Sequence, residues 1–470
     1  MRSPIALGDA QQRSKPINPA RVLNLYPEPV PQGSRAKVVH YGTPGQVLWT
    51  TAGTGTIRAG RDAFGYGYVL SGGSLYRLDS TGAATLCTGD TISPTGPAMM
   101  AFNGVQLVVQ SDTEAFVVTG TTVTKITDAD FPGCSSLDYI DGYIVYTKPD
   151  SGQWFISDLF NASAYDATDF ATAESSPDGL IRVLVDHREV WLFGTNSIEP
   201  WTNTGASPFP FERVNGAIIE RGCAAALSPA KMDNSVFWLG DDRIVYRAQG
   251  YQPTRISTHA IEEILRSGTV DDAFGMTYSQ GGHHFYILTL PTMGRTLVFD
   301  AAASAMLGGP AWHERQSGTS TDYAVWNPKC MFSLFGRILV GLTSGQIAEL
   351  DLDTYTDISA PIRRAITSLP IYPDGDRAIM DSVELECELG VGLTSGQGVA
   401  PVVMLRFSDD GGGTYSNERR ASIGAKGLRR DRATWERCGI FRQRTIEFSV
   451  SDPVKTAMYG ARAMMRKLDR

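Results

Sequence analysis

The chain has 470 residues, 42% hydrophobic and 20% charged, with a formal net charge of −8. That is enough apolar material for a real core and too much length for one ordinary domain. No apolar run approaches the roughly 18–20 residues that span a bilayer, so no membrane anchor is expected.

Residues 1–36 read as an extended N-terminal arm rich in proline. The stretch lacks the continuous apolar region of a signal peptide. A disordered tail and an arm lying along a neighbouring domain or subunit both fit its composition. Tyr26 and the cluster of Val22, Leu23 and Leu25 favour docking.

Residues 37–360 read as a β-propeller within an all-β chain. Short runs of Val, Ile, Thr, Tyr and Phe are punctuated by Gly and Pro, which implies many tight turns. A strand–turn–strand unit recurs at roughly 40–45 residues, the length of a four-stranded blade. About seven units are legible, and six or eight also fit the spacing. QVLWTTAG is grouped with the strands that follow it as the first unit. Hairpin turns fall at Asn103-Gly104, Asp141-Gly142, Gly240-Asp241-Asp242 and Phe335-Gly336. Asn-Gly and Asp-Gly suit two-residue turns that need φ > 0 at both centres. Stacking such sheets radially buries faces that no single sheet could bury alone. Neither a WD signature nor a repeated Gly-Gly pair is present, so a pair of β-sandwiches is the rival architecture. Residues 153–179 link one small sheet to the next and close on Ser175-Ser176-Pro177-Asp178-Gly179, which is turn chemistry. One short helix is expected over residues 258–266, with Thr258 as its N-cap.

Residues 361–470 read as a C-terminal β-sandwich domain. Val383, Leu385, Cys387 and Leu389 alternate with Glu384, Glu386 and Glu388, the pattern of a half-solvated strand. Residues 401–470 hold fifteen Lys/Arg against eight Asp/Glu, an excess of seven, so the rest of the chain carries −15. An acidic body with a basic end suits complementary docking or contact with a polyanion. Arg429, Arg430, Arg432, Arg437, Arg442 and Arg444 are the candidate interface residues. A solvated face, phosphate contact, and ion pairing with Glu384, Glu386 and Glu388 of a neighbouring strand or subunit all fit. Sparse aromatic residues favour a protein–protein interface over nucleic acid.

No catalytic, cofactor-binding or metal-binding residue stands out. His283-His284 precedes a strand, where neighbours face opposite sides and cannot chelate one ion. Asp351, Asp353 and Asp357 lack the glycine and terminal glutamate of a calcium loop. The six cysteines are scattered with no C-x-x-C pair, which argues for reduced buried thiols made in a cytosol. Residues 408–415, SDDGGGTY, resemble the Asp-box hairpin, a folding device in which Asp and Thr side chains lock a turn. Paired carboxylates for glycoside cleavage would be distant along the chain, and nothing singles them out.

Several stretches together are similar to one family. They are FISDL at 155–159, AESSPDG at 173–179, FGTNSIEPWTNTG at 193–205, ISTHAIEEILRS at 256–267, LRFSDDGGGTYSNER at 405–419 and WERCGIFR at 435–442. In that order they resemble the tail hub family of short-tailed phages, also called packaged DNA stabilisation or head completion proteins. The resemblance implies a non-enzymatic virion protein of the phage tail, made in the bacterial cytoplasm. It implies a six-fold homo-oligomeric ring below the portal and its adaptor ring. A tail needle or distal tail protein would plug that ring, and tailspikes or fibres would surround it. The ring would help to retain packaged DNA and form part of the ejection channel, where an acidic wall lets double-stranded DNA slide. The alternatives are a propeller-type polysaccharide-binding or glycoside-cleaving tail protein, and a generic propeller scaffold.

Overall fold

Tight turns at the ends of short apolar strands set the architecture. In the computed structural model, residues 2–3, 5–9, 11, 13–174, 176, 178–373 and 375–468 are described. Within them, seven blades, each built on four antiparallel strands, follow one another around a ring; the second carries a short fifth strand in parallel, and the sixth and seventh are parts of nine- and six-stranded sheets. The innermost strands are Ile57–Ala63, Ala98–Phe102, Ser136–Ile140, Leu180–Asp186, Ala230–Met232, Phe274–Gln280 and Cys330–Leu334. They open blades 1 to 7 in that order.

The hairpins behind these strands explain why the blades form. Phe64-Gly65, Asp141-Gly142, His187-Arg188, Asp233-Asn234, Gly281-Gly282 and Phe335-Gly336 all have φ > 0 at both central residues. Such turns twist in the same sense as the strands they join. Each blade then buries both faces against its neighbours. Phe116 and Leu107 of blade 2 pack with Tyr68 and Leu70 of blade 1, while Ala101 and Val108 pack with Tyr146 and Phe155 of blade 3.

Closure of the ring differs from the order expected along the chain. Gly45–Thr51, which holds most of QVLWTTAG, is not the start of blade 1. It pairs with Gln346–Asp351 as the outer strand of blade 7. One sheet thus takes strands from both ends of the propeller, and the first and last blades are locked together.

The sandwich lies against blade 6. One sheet holds Arg364–Thr367, Thr445–Val450, Val402–Ser408 and Arg419–Ser422. The other holds Ala378–Cys387, Ala433–Phe441 and Ala457–Lys467. Trp435, Phe441, Phe448 and Leu405 fill the space between them. The first 36 residues contribute strands to this body. Leu25–Pro29 pairs with Val38–Gly42, which joins the second sheet through Ala457–Lys467. Val22–Leu23 lies between Ala311–Glu314 of blade 6 and Arg364–Thr367. A nine-stranded sheet therefore runs from the propeller into the sandwich without a break.

The helix at His259–Arg266 starts where its cap dictates: the Thr258 side chain accepts from the Ile261 amide. A second helix, Ala301–Leu307, joins the third strand of blade 6, Arg295–Asp300, to its fourth, Ala311–Glu314. Among the described residues no helix is long and apolar enough to cross a membrane.

Candidate functional site

The exposed end of the sandwich carries the first candidate surface. The loop between Arg419–Ser422 and Ala433–Phe441 folds back on residues 390–399. A Cβ on Gly390 would lie 3.1 Å from the Leu428 amide nitrogen, and one on Gly392 would lie 2.8 Å from that of Lys426. The two loops thus pack backbone to backbone. They leave Leu393, Val399 and Leu428 exposed, the last at 56%. Lys426, Arg429, Arg430 and Arg432 are exposed around them. The result is a small apolar knob ringed by cations.

The six candidate arginines do not form one patch. Arg432 enters the strand Ala433–Phe441 and Arg442 leaves it, which separates the two by roughly 30 Å at about 3.3 Å per residue. Arg437 sits between them with φ 55°, where the pairing with Ala378–Cys387 shifts register. Arg444 is buried. Its Nε and Nη2 each lie 2.7 Å from an Asp409 carboxylate oxygen, and its guanidinium stacks on Phe407 at 4.0 Å. It holds the sandwich together and has no surface to offer a partner. The acidic row is also absorbed within the domain: Glu384 lies 3.7 Å from Arg432, Glu386 pairs with Arg462 and Arg35, and Glu388 pairs with Lys455.

The complementary surface belongs to blade 3, in the stretch 153–179. Residues 112–186 hold thirteen Asp/Glu against three Lys/Arg, so ten of the fifteen excess negative charges lie there. The loop after Gln153–Ile156 is built rigidly. Phe160 donates its amide to the Gly142 carbonyl at 2.9 Å, Ala162 donates to Gln106 Oε1 at 2.6 Å, and the Tyr165 and Tyr146 hydroxyls lie 2.9 Å apart. Trp154, fully buried, sits edge-on to Trp201, Phe209 and Phe211 of blade 4. What this scaffold leaves outside is Leu159, Phe160 and Phe170, with Asp158 and Asp166 exposed among them. Sequence reasoning found this stretch but not its surface, because the apolar residues inside and outside it look alike. Ser175 and Pro177 of the expected turn lie outside the described residues. Asp178 accepts from the Asn196 and Ser197 amides at 2.6 and 3.1 Å, which ties the turn to blade 4.

A buried polar seam joins the two bodies. Glu314 accepts from Arg21 at 3.0 Å and also pairs with Arg295. Burial opposes its ionisation, but the two guanidiniums outweigh that and hold its carboxyl below the usual range. Asp9 is buried beside it, and burial together with the Glu314 charge pushes the Asp9 carboxyl well up. Arg364 is fully buried and its guanidinium donates no hydrogen bond to a described residue, and burial lowers it to about 10. Nearby Asp357 is pushed up to about 6, again by burial. The SDDGGGTY hairpin behaves as a folding device. Asp410 accepts from the Gly413 and Thr414 amides and from the Thr414 hydroxyl, and these bonds hold its carboxyl low. Its glycines receive the N-terminal segment: a Cβ on Gly411 would lie 2.5 Å from Pro16 Cα.

His283 and His284 face opposite sides, the first bonded to Asp300 at 2.6 Å and the second to Ser279 at 2.7 Å. Among the described residues no group of three or more His, Cys, Asp or Glu is placed to hold a metal ion. Five of the six cysteines are buried and the sixth, Cys330, is half-buried, all as free thiols.

Comparison with known proteins covers both bodies. Residues 1–355 match a family model described as the Bacteriophage P22 Gp10 β-propeller, and residues 363–466 match the Bacteriophage P22 Gp10 β-sandwich. The tail hub protein gp10 of Salmonella phage P22 is 25% identical over 274 residues, covering 54% of this chain and 56% of that protein. The chain thus spans about half the length of this curated relative. Among solved structures, the computationally designed Ika8 protein is 12% identical with a TM-score of 0.40, over 75% of this chain and 100% of that one. BamB from Moraxella catarrhalis is 11% identical with a TM-score of 0.39, over 74% and 99%. Likeness at those TM-scores carries no argument about function.

Proposed function

Because this chain belongs to the bacteriophage P22 Gp10 family of tail hub proteins, we propose that it is the structural hub of a short phage tail. In that role it joins the portal and its adaptor ring to the distal tail, helps to retain packaged DNA, and forms part of the ejection channel. A needle or distal tail protein closes the ring below, and tailspikes or fibres attach around it. The work is done by contacts and by stiffness, not by turnover.

The observation that carries this reading is a pair of apolar surfaces of opposite charge on one continuous body. Leu428 and its ring of Lys426, Arg429, Arg430 and Arg432 lie at the end of the sandwich. Leu159, Phe160 and Phe170 with Asp158 and Asp166 lie on blade 3. Contacts between two different patches are head-to-tail, and they generate rings when the rotation closes. Opposite charge steers such an encounter and penalises wrong pairings, while the apolar centre supplies affinity. The nine-stranded sheet through both bodies keeps the two patches at a fixed angle, which closure at a single copy number requires. The negative charge on the propeller suits a conduit wall, because it repels the phosphate backbone of passing DNA.

The test is assembly onto portal–adaptor particles filled with DNA. Six copies of the chain are expected per particle, with the DNA protected from nuclease. Arg429→Glu combined with Arg430→Glu and Arg432→Glu should abolish ring formation. Adding Asp158→Lys and Asp166→Lys in the same chain should restore it. Full rings from the triple variant would overturn the head-to-tail contact. Complete rings that still leak DNA would overturn the retention role.

A further inference from the structure

The first strands of all seven blades line one central cavity of about 300 Å³. At about 30 Å³ per molecule in the liquid, that is space for roughly ten waters or one small polyatomic ion with its shell. The charge facing this space is lopsided. Arg58, Arg61, Arg182, Lys231 and Lys329 line it, against Asp138 alone.

Two of the five cations have work elsewhere. Arg58 donates to the carbonyls of Gly72, Ser93, Thr95 and Gly96 and so pins the loop between blades 1 and 2. Lys231 donates to the Val185 carbonyl at 2.7 Å and lies 3.6 Å from Asp138. Asp138 is itself committed, since it accepts from the Tyr139 and Val185 amides at 2.9 and 2.8 Å. Its single charge, which also acts on Arg182, offsets at most one of the five cations.

Three cations remain: Arg61, Arg182 and Lys329. None forms an ion pair with a described residue. The Nε atoms of Arg61 and Arg182 are shielded from solvent and have no hydrogen-bond partner. Among the described residues, the acceptors for their guanidiniums are the Met100 carbonyl at a long 3.4 Å and the Met99 thioether. Burial accordingly depresses the Arg182 guanidinium from its ordinary value. Met99, Met100 and Leu137 form the apolar part of the wall, which lowers the local dielectric and strengthens any ion pair formed there. Buried donors left without acceptors are costly, and two of them facing one cavity, with the exposed Lys329 beside them, describe a site shaped for an acceptor-only guest.

We propose that the central channel of the propeller is an oxyanion site, in which Arg61, Arg182 and Lys329 grip a phosphate- or carboxylate-bearing group. The guanidiniums supply planar forks that match two oxygens of such a group. Lys329, exposed at its rim, supplies a mobile point charge that closes over it. The guest is a free multivalent anion or an acidic side-chain cluster inserted by a partner, and the two share the same chemistry.

The experiment uses the full chain with two probes, inorganic pyrophosphate and a tetraglutamate peptide, each followed by calorimetry and by thermal melting. At least one probe should bind and raise the melting temperature, with sodium chloride at equal ionic strength as the control. Arg182→Gln and Lys329→Gln should each weaken binding about ten-fold, the loss of one charge-assisted hydrogen bond. Lys329 is exposed, so its variant keeps the fold. Without a probe, Arg182→Gln should melt no lower than the parent chain, because it removes a charge whose burial outweighs its attraction to Asp138. Binding of pyrophosphate alone identifies a free anion, and binding of the peptide alone identifies an inserted acidic segment; either supports the site. Absence of binding by both probes, or equal binding by the parent and both variants, would overturn it. Ring assembly on portal–adaptor particles is read separately and should be unchanged in both variants.

Discussion

Arg429 and Arg444 look alike in the sequence, and they separate only through burial. Arg444 meets Asp409 from 35 residues away, just beyond the Ser408–Thr445 pair of two neighbouring strands in one sheet. A run of basic residues carries no record of which member turns inward. Arg444→Ala should therefore cost about 2 kcal/mol in urea unfolding, the scale for losing hydrogen bonds from a buried charged group to the Cys438 carbonyl and the half-exposed Asp409. Arg429→Ala should change stability by less than about 0.5 kcal/mol, as exposed substitutions do. Equal effects would contradict the placement. Asp357 gives a pH test. Its folded pKa of about 6 lies above its ordinary value of 3.8. The unfolded chain therefore ionises first as pH rises. Stability from this group is full below about pH 4 and falls away as pH climbs through about 6. Asp357→Asn should raise the melting temperature at pH 8 and leave it nearly unchanged at pH 4. A gain at pH 4 with none at pH 8 would reverse the assignment.

At the scale of single elements, local chemistry was legible and long-range pairing was not. Asp141-Gly142 is a hairpin turn with φ > 0 at both centres, as its residue types announce, whereas Phe335 takes φ 52° in its turn against the preference of a bulky side chain. Thr258 caps the helix His259–Arg266. The helix Ala301–Leu307 was missed although its signals are present: Asp300 caps it, and Gly308 ends it with φ 71°. Its seven residues follow directly on the strand Arg295–Asp300 and read as that strand's end. The strand Gly45–Thr51 was assigned to the wrong neighbour because its partner lies about 300 residues on, and periodicity says nothing about who pairs with whom. Gly142 tests the rigidity of the acidic surface. Its φ is 97°, and a Cβ there would lie 2.7 Å from Leu159 Cδ1. Gly142→Ala should cost about 1–3 kcal/mol and loosen residues 157–169, read as faster amide exchange at Phe160 and Ala162. Unchanged exchange would mean that the loop is not braced on this turn.

The whole molecule is a ring of blades welded to a sandwich by its own N-terminal segment. Val22–Leu23 is the weld, paired on one side with blade 6 and on the other with Arg364–Thr367. The sequence favoured docking for this segment through Val22, Leu23, Leu25 and Tyr26. It could not reveal that the docking completes a shared sheet, since each pairing spans most of the chain. Because the weld is hydrogen-bonded backbone and not a flexible linker, relative motion of the two bodies should be small. Removing it by deleting residues 2–29 should leave both bodies with exposed sheet edges, and the product should aggregate instead of yielding two soluble domains.

The proposed head-to-tail contact between neighbouring copies is tested most directly by cross-linking. Two single variants, Leu428→Cys and Phe160→Cys, are mixed, assembled together on portal–adaptor particles, and treated with a short bismaleimide. Leu428 and Phe160 are both exposed in the free chain, on the two surfaces argued to meet. The contact predicts covalent dimers containing one chain of each variant, formed only in assembled rings and absent when either variant is assembled alone. Complete rings with no mixed dimer would show that the copies meet through other faces.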